Sequence, residues 1–349
     1  MQNKTHKISG AALKRCMLSM LCAASFYACA ELDPQRDVTW DIPCGGVPVT
    51  FGAFGKWDDE TGTRAVTSGN STAFVSSDRI GVFAYNDNSR TPDFMNNQTV
   101  TFDGSTWTYS PIKYWPASEG SRLSFYAYFP QEEYGNSVSI NAQNSERPVL
   151  IYTCRDSKTD LLTAISENLT YSKRPVCLQF EHQLVQIRFR FRNAWEEKKD
   201  MYHLGINYLY FKCNMNTVLT YDYGIDEAVY SDAAEKAYMP EVTNPKEYFE
   251  YSDKYTDIIS PYYFVPESIE SGKLELGIDV FEKKGEIWKK TTVHNTPTYI
   301  AKASLPDKSG LKKGSTVVYD ISYKPDEGLV ITMITEVDGW TEVDNNNEI

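Results

Sequence analysis

The fold is decided by the stretch from Asp78 to Pro130, which reads DRIGVFAYNDNSRTPDFMNNQTVTFDGSTWTYSPIKYWPASEGSRLSFYAYFP. It contains four short apolar and aromatic runs: IGVFAY, QTVTF, WTYSPIKYW and LSFYAYF. Each run is too short for a typical helix and is rich in the β-branched and aromatic residues that favour strands. The segments between them, such as Asn86-Asp87-Asn88 and Asp103-Gly104-Ser105, are rich in turn residues. This pattern predicts an antiparallel β-sandwich.

Length and composition extend this prediction to the whole chain. The protein has 349 residues, of which 41% are hydrophobic and 13% aromatic. That is enough for two sandwiches of ordinary size. The formal net charge of -12 argues against nucleic-acid binding and against docking on anionic lipid. We therefore predict an all-β protein of two tandem antiparallel β-sandwich domains.

Shifts in composition and alternation predict the domain borders. We expect a signal segment at residues 1–28, a polar lead at 29–46, an N-terminal sandwich at 47–174 and a C-terminal sandwich at 175–349. Residues 47–54 are predicted to be the first strand, because Val47, Val49 and Phe51 lie on one face of an alternating pattern. Residues 56–72, which are charged and rich in Gly, Thr and Ser, are predicted to form an exposed loop.

Three other segments lead to specific structural predictions. Val176–Phe191 shows the clearest alternation, and a change of phase near Leu184 indicates two strands joined by a bulge or bend. After that change, apolar residues alternate with Arg188, Arg190 and Arg192. Residues 160–168 are interpreted as a helical turn or a loop. The acidic, tyrosine-rich residues 226–257 are interpreted as an inserted surface loop with one short helix.

The first residues have the pattern of an export signal. A basic start is followed by the short apolar run Cys16–Ala28, which is too short to cross a bilayer. The run ends in a small residue before Cys29, as in lipoprotein signals. We expect Cys29 to become the lipidated first residue, which tethers the protein to the outer membrane only through its lipid.

Four cysteines remain in the exported part of the chain: Cys44, Cys154, Cys177 and Cys213. In an exported protein they can form one or two disulfides, or they can be buried free thiols. Because pairing depends on distances in the fold, both alternatives stay open.

The sequence has no pattern typical of a catalytic, cofactor or metal site. His182, His203 and His294 have no Cys, Asp or His neighbours at metal-ligand spacing, and the common nucleophile and phosphate-loop motifs are absent. The alternation around His182 indicates a histidine of the core rather than a ligand. We therefore predict a protein that is not an enzyme and needs no cofactor.

An ordered set of motifs resembles the fimbrillin family, the β-sandwich pilins of type V pili. The motifs are DRIGVFAY at 78–85, FMNN at 94–97, YWP at 114–116 and SFYAYFP at 124–130, followed by DLLTA at 160–164 and FEHQL at 180–184. The resemblance implies transthyretin-like sandwiches and a structural subunit of a cell-surface fimbria that supports adhesion.

The resemblance also implies a route of assembly. A maturation protease would cleave after Arg64, before Ala65, and release the strand that contains Val47, Val49 and Phe51. A C-terminal strand of another pilin subunit, with Ile331, Met333 and Val337 pointing inward, would then take its place. The implied partners are other subunits, the protease and an adhesion ligand on a host or other surface.

A rival interpretation is a monomeric surface lipoprotein that binds glycans. The seven tryptophans and 24 tyrosines are sufficient for a sugar-stacking platform. Trp57 and Trp195 lie in polar segments and are the best candidates for exposed stacking residues.

Overall fold

The fold was analysed in a computed structural model. It describes residues 46–55, 74–87, 89–118, 120–131, 137–142, 147–243, 248–292, 296 and 298–336. The signal segment, Cys29, Cys44, Trp57, Arg64, Ala65, His294 and Val337 lie outside these ranges.

The regular secondary structure of the described residues consists of strands joined by turns and loops, apart from one short 3-10 helix at Glu196–Lys198. The strands are β1 (Phe51–Gly55), β2 (Arg79–Asn86), β3 (Met95–Phe102), β4 (Trp107–Thr108), β5 (Arg122–Phe129), β6 (Ser137–Asn141), β7 (Val149–Thr153), β8 (Leu162–Thr170), β9 (Val176–His182), β10 (Val185–Asn193), β11 (Tyr202–Met215), β12 (Val218–Asp222), β13 (Glu227–Ser231), β14 (Ala234–Tyr238), β15 (Thr256–Asp257), β16 (Tyr262–Phe264), β17 (Glu267–Lys284), β18 (Ile287–Thr291), β19 (Tyr299–Ser304), β20 (Lys308–Leu311), β21 (Thr316–Lys324) and β22 (Gly328–Glu336). The all-β prediction is confirmed.

The first sheet has seven strands in the order β1-β9-β8-β5-β2-β3-β4. All of its pairs are antiparallel except β1 with β9, which is parallel. The four runs of the Asp78–Pro130 stretch supply β2, β3, β4 and β5, as predicted. Where the start of β2 meets the end of β5, the two strands pack tightly, because Gly81 of β2 lies under the ring of Tyr128 of β5. A Cβ at Gly81 would come within 2.2 Å of that ring.

One face of this sheet encloses a core of its own. Phe125 of β5 and Phe180 of β9 are fully buried in it, and Phe74 packs edge-on against Phe180 at a ring distance of 5.4 Å. The opposite face of β2 and β5 contributes Tyr85 and Tyr126 to a second, larger core. The strands β2 and β5 therefore read as almost continuously apolar, because both of their faces are covered.

Three further sheets surround the larger core. Four strands form the order β13-β12-β7-β6, and six strands form β14-β11-β17-β18 with β19 and β20 also paired to β17. The third of these sheets has the order β15-β10-β21-β22, with β16 also paired to β10. Its central pair, β10 with β21, is parallel over eight residue pairs, and β21 pairs with β22 antiparallel along the full length of both strands.

The sheets do not separate at the border predicted between residues 174 and 175. β9 lies beyond that border, yet it is hydrogen-bonded between β1 and β8 in the first sheet. The chain changes sheet at Gln183 and Leu184, where the alternation shifts phase. In addition, β7 from the first half pairs with β12 from the second half. Each half of the sequence thus completes a sheet of the other.

Two smaller interpretations of the sequence are wrong. Residues 162–170 form β8 rather than a helical turn or loop. The interval 226–257 contains β13, β14 and β15 rather than only an irregular insertion. Within the described residues, no helical segment has the length and apolar character that a membrane crossing requires.

His203 on β11 lies in an aromatic cluster at the edge of the six-stranded sheet. Its ring stacks on Trp288 with centroids 3.6 Å apart, and its Nε2 atom is 3.9 Å from a carboxylate oxygen of Glu250. Burial lowers the pKa of His203, and the nearby charge of Lys283 lowers it further, whereas Glu250 raises it. The folded protein therefore favours the neutral imidazole.

Acidification is expected to destabilise the fold partly through His203. Because the folded pKa lies below the unfolded value, the unfolded chain takes up the proton first as the pH falls below about 6.5. The penalty is absent above that pH and becomes complete below the folded pKa. We expect the fall in Tm between about pH 7.5 and about pH 5 to be smaller in His203→Phe than in the unmodified protein, by about 2 °C or more. An intermediate result is expected for Lys283→Met, and equal falls in all three proteins would contradict this assignment.

Candidate functional site

The first strand, β1, is the terminal strand of its sheet. It pairs in parallel with β9, with Phe51 opposite Val176 and Ala53 opposite Leu178. The amide of Val176 donates a hydrogen bond of 2.8 Å to the carbonyl of Thr50. Only β9 forms a ladder with β1 among the strands described, so β1 is an edge strand, not a central one.

The residues just before β1 are held on the other flank. The amide of Val49 donates to the carbonyl of Lys113 at 2.9 Å, and the amide of Trp115 donates to the carbonyl of Val47 at 3.0 Å. The hydroxyl of Tyr109 donates a further bond of 2.8 Å to the carbonyl of Val49. Before Thr50 the segment is therefore hydrogen-bonded to the chain that follows β4. From Thr50 onward it is hydrogen-bonded to β9.

The side chains of this segment alternate as the sequence predicts. Val49, Phe51 and Ala53 are buried in the first core, Val47 is half-buried against it, and Thr50 points outward. The Phe51 ring packs edge-on against Phe125 at 5.8 Å. Without these side chains, the first core would be open along a groove bordered by unpaired backbone groups of β9.

The chain returns to the first core at Phe74, after the predicted loop. Phe74 is buried and packs edge-on against Trp107 and Phe129, with ring distances of 5.0 and 5.3 Å. Sequence analysis missed this anchor because a single Phe within the polar run STAFVSSDR has no periodicity. Phe74 therefore holds the chain on the C-terminal side of Arg64 independently of β1.

A buried carboxylate fixes the turn that follows Phe74. Asp78 accepts a hydrogen bond of 2.7 Å from the amide of Val75, and its own amide donates to the carbonyl of Val75 at 3.0 Å. Burial raises the pKa of Asp78 to about 6, although the bond from Val75 opposes that rise. The entry into β2 is thus defined by local hydrogen bonds rather than by contacts with β1.

The C-terminal strand β22 also lies at a sheet edge. It pairs with β21, and within the described residues its other flank carries no ladder. Ile331 and Met333 are half-buried against the larger core, whereas Val330 and Ile334 are 50% and 39% exposed. The predicted inward face is therefore the one that packs on the protein's own core. Thr335 lies on the same face, although the sequence analysis did not name it among the donor residues.

The structure does not bring the two strands together, since β1 and β22 belong to different sheets. The proteolytic site at Arg64 and Ala65, the lipidation site at Cys29 and the last donor residue Val337 lie outside the described ranges. The roles assigned to these residues and to the two strands stay predictions.

The thiols that can be described are not part of a reactive site. Cys154 and Cys213 are buried free thiols. Burial raises the pKa of both, to about 12 in the case of Cys213, so neither is readily ionised. Two disulfides among the four cysteines are thereby excluded. Cys177 is half-buried on β9, opposite Gly52 of β1.

The other candidate residues fit structural roles. His182 is buried and pairs through Nδ1 with the buried carboxylate of Asp160, as expected for a core histidine. Trp195 is half-buried and stacks on Tyr202 with ring centroids 4.7 Å apart. Among the described residues there is no group of His, Cys, Asp and Glu side chains that could hold a metal ion.

Comparison with known proteins identifies related chains. A curated relative, the fimbrium subunit Fim1C of Phocaeicola vulgatus, is 25% identical over 83% of this chain and 88% of its own length. A fimbrial protein of Bacteroides vulgatus has a similar fold, with a TM-score of 0.55 and 21% identity over 75% of this chain and 93% of its own. A proposed cell adhesion protein of Bacteroides ovatus also has a TM-score of 0.55, with 15% identity over 86% of this chain and 99% of its own.

A family model described as fimbrillin-like matches residues 63–340, which include every strand from β2 to β22. The match confirms the family resemblance read from the motifs. The chain belongs to the fimbrillin-like family.

Proposed function

We propose that the protein is a structural subunit of a cell-surface fimbria that polymerises by exchange of a terminal strand. Membership of the fimbrillin-like family supports the fimbrial role, and the family and the related proteins are named for fimbriae and adhesion, not for catalysis. Export as a lipoprotein through Cys29, cleavage after Arg64 and strand exchange are the finer parts of the proposal.

The position of β1 carries the proposal. β1 has only five residues and forms a ladder on one side, with β9. Its buried side chains fill the part of the first core that the other strands leave open. Burial of each side chain the size of Val49 or Phe51 contributes roughly 1.5–3 kcal/mol. A replacement strand with matching alternation regains this energy together with the backbone hydrogen bonds.

Cleavage after Arg64 fits the anchors on either side of it. The described chain packs on the first core through β1 and again at Phe74, which has its own aromatic contacts. A cut between them leaves β1 attached only by noncovalent contacts, while Phe74 and Asp78 keep the start of β2 in place. Strand release then exposes the groove without unfolding the rest of the sheet.

The alternation of β22 suits it as a donor. At two-residue spacing, Ile331, Met333, Thr335 and Val337 match the four inward positions Val47, Val49, Phe51 and Ala53 in number. Because the donor of one copy and the groove of the next are different surfaces, the contact is head-to-tail. Such contacts do not close on themselves and give a filament.

Cleavage should be selective for Arg64. When the exported chain is treated briefly under native conditions with an arginine-specific endopeptidase, which does not cut after Lys56 of the same predicted loop, we expect one major product that begins at Ala65, followed by SDS-resistant ladders. Replacement of Arg64 by Gln should abolish both, because the remaining arginines do not lie in the predicted loop. The matched control is Arg174→Gln, an exposed arginine between β8 and β9, which should be cut and assemble normally. Equal cleavage of the Arg64 variant would refute the processing site, and clean cleavage without ladders would refute its link to assembly.

Strand exchange can be tested without altering β22 in the folded protein. A synthetic peptide of residues 328–340 should bind the cleaved chain and block ladder formation, because it fills the vacated groove. The same peptide should not bind the uncleaved chain, in which β1 occupies the groove. Binding is measured by fluorescence anisotropy of the labelled peptide.

Two control peptides distinguish insertion into the groove from nonspecific binding to the protein. A peptide with Met333→Asp places a charge in the apolar core and should bind at least about tenfold more weakly, which corresponds to a loss of about 1.4 kcal/mol. A peptide with Val330→Asp carries the same charge on the outward face and should bind nearly as well as the natural sequence. Equal binding of all three peptides to cleaved and uncleaved protein would exclude exchange.

A further inference from the structure

The sheet β13-β12-β7-β6 has one face on the larger core and its other face toward solvent. The middle row of the solvent face crosses the four strands through Val229, Thr220, Ile151 and Ser139, which lie opposite one another in register. Val229 is 68% exposed and Ile151 is 38% exposed. We call this row, together with the rows on either side of it, the outer face. Its centre is therefore an apolar surface in contact with water.

The two neighbouring rows show where charge is placed on the outer face. In register order they contain, on one side, Ser231, Val218 and Thr153, and on the other side Glu227, Asp222 and Val149. Charge thus occurs at one end only, and it is acidic. Beyond the opposite end the chain carries both signs, with Arg155 after β7 and Asp232 after β13.

The solvent face of the six-stranded sheet is built differently. There, ion pairs join neighbouring strands: Lys302 lies 2.7 Å from Glu275, and Lys212 lies 2.8 Å from Glu235. Among the described side chains of the outer face there is no Lys or Arg. Contiguous exposed apolar patches on soluble proteins often mark interaction sites, whereas single apolar residues at the surface do not. The outer face is therefore a candidate interface.

The outer face is regular in shape. Each of its three ladders, β6–β7, β7–β12 and β12–β13, has five residue pairs without a register shift. The side chains of the middle row are short, being Ser, Thr, Val or Ile. A sheet of this kind packs face to face on another sheet at a spacing of about 10 Å. The shape thus favours a flat sheet as the partner.

Charge limits which partner can cover the outer face. The chain has a net charge of -12, so two copies repel each other over much of their surface. The uncharged middle row is a place where two copies can approach without bringing acids together. A basic partner would instead be matched by acids across the whole face, but Asp222 and Glu227 lie at one end of it. These features favour a second copy of this chain.

We propose that the outer face packs on the same face of a second copy, which belongs to a neighbouring filament. A two-fold axis along the middle row places Val229 of one copy over Val229 of the other, and Ile151 over Ile151. The same rotation reverses the strand direction, so that Asp222 of each copy lies over Val218 of the other. The acids of the two copies therefore do not meet.

The size of the outer face explains why filaments are needed. Four strands about 4.8 Å apart, each with five residues at about 3.4 Å per residue, cover roughly 300 Å². A stable pair of proteins buries about 800 Å² on each partner. One pair of copies is therefore weak, but aligned copies in two filaments add their contacts. This lateral role rests on the proposed polymerisation, whereas the contact between two outer faces does not.

The test displays many copies of the uncleaved exported chain on streptavidin beads, each held by a biotin at its N-terminus. Beads that carry the unmodified chain should cluster. Val229→Lys and Val229→Glu should each abolish clustering, because like charges then face each other across the two-fold axis. A mixture of the two variant beads should cluster again, since Lys then faces Glu. Clustering is measured by light scattering, and Tm should be unchanged because Val229 is exposed on an edge strand.

The matched control is Ile287→Lys, which adds the same charge at a 54% exposed position of β18, outside the outer face. These beads should cluster like those with the unmodified chain. The proposal is overturned if unmodified beads stay dispersed, if Val229→Lys beads still cluster, if Ile287→Lys disperses them equally, or if the mixed beads stay apart. A face that binds a different partner would give the first of these results.

Filaments are scored separately, so that the two proposals can fail independently. After cleavage by the arginine-specific endopeptidase, unmodified protein and Val229→Lys should give the same SDS-resistant ladders. Electron microscopy should show bundled filaments for the unmodified protein and single filaments for Val229→Lys. Clustered beads without ladders would refute strand exchange and leave the contact between outer faces in place. Ladders with dispersed beads would refute that contact alone.

Discussion

The parallel ladder between β1 and β9 closes the edge of the first sheet, and it is the contact on which the proposed assembly depends. β9 has β8 on its other side, so β1 can be exchanged only by opening one flank of β9. The same chain continues from β9 through Gln183 and Leu184 into β10, which is the centre of another sheet. β10 pairs with β21, and β21 carries β22. A single extended segment, Val176–Asn193, therefore connects the proposed acceptor groove with the proposed donor strand.

In a head-to-tail filament, this connection would carry the load between neighbouring contacts. Tension applied to β22 would pass through the β21–β22 and β10–β21 ladders and then along the chain from β10 to β9. The β10–β21 pair is reinforced by Arg190, which donates to both carboxylate oxygens of Asp320 at 2.7 and 3.0 Å. Partial burial lowers the pKa of Arg190, but the hydrogen bonds that it donates to Asp320 outweigh this effect and raise the pKa above its usual value. Bidentate pairs of this kind are among the stronger polar contacts in proteins.

The sequence was most informative where a short apolar run is bounded by turn residues or where the alternation is regular. The stretch Asp78–Pro130 predicted its strands correctly, and the change of phase near Leu184 marked the point where the chain changes sheet. It failed at β8, because only the first three residues of that strand are buried and the bulge at Asn168 interrupts the alternation of the remaining, partly exposed residues. The pairing of β7 with β12, which joins the two halves of the sequence, also could not be predicted, since partners so far apart in sequence leave no local pattern.

The arginines of β10 show how the interval 226–257 could have been interpreted better. Arg188 is 3% exposed, and such a charge needs an acidic partner within the fold. It pairs with Asp257, while Arg192 lies 3.5 Å from Asp253 and 5.0 Å from the centre of the Tyr255 ring. The end of the interval 226–257 thus packs against the face of β10 that carries the arginines. Acidic composition and a row of arginines are each uninformative alone, but together they predict this contact.

The energetics of exchange depend on the two environments of β22. In its own sheet, β22 forms a ladder on one flank only, and its apolar side chains are half-buried. In the vacated groove, a strand has β9 on one side and the carbonyl of Lys113 and amide of Trp115 on the other, and its inward side chains reach positions that are fully buried in β1. The buried apolar area thus favours the groove, whereas the ladder with β9 has only five residue pairs against nine in the ladder of β22 with β21. Exchange costs the β21–β22 ladder, so the proposed exchange needs a groove that has been emptied first, and for this reason the proposal places cleavage before assembly.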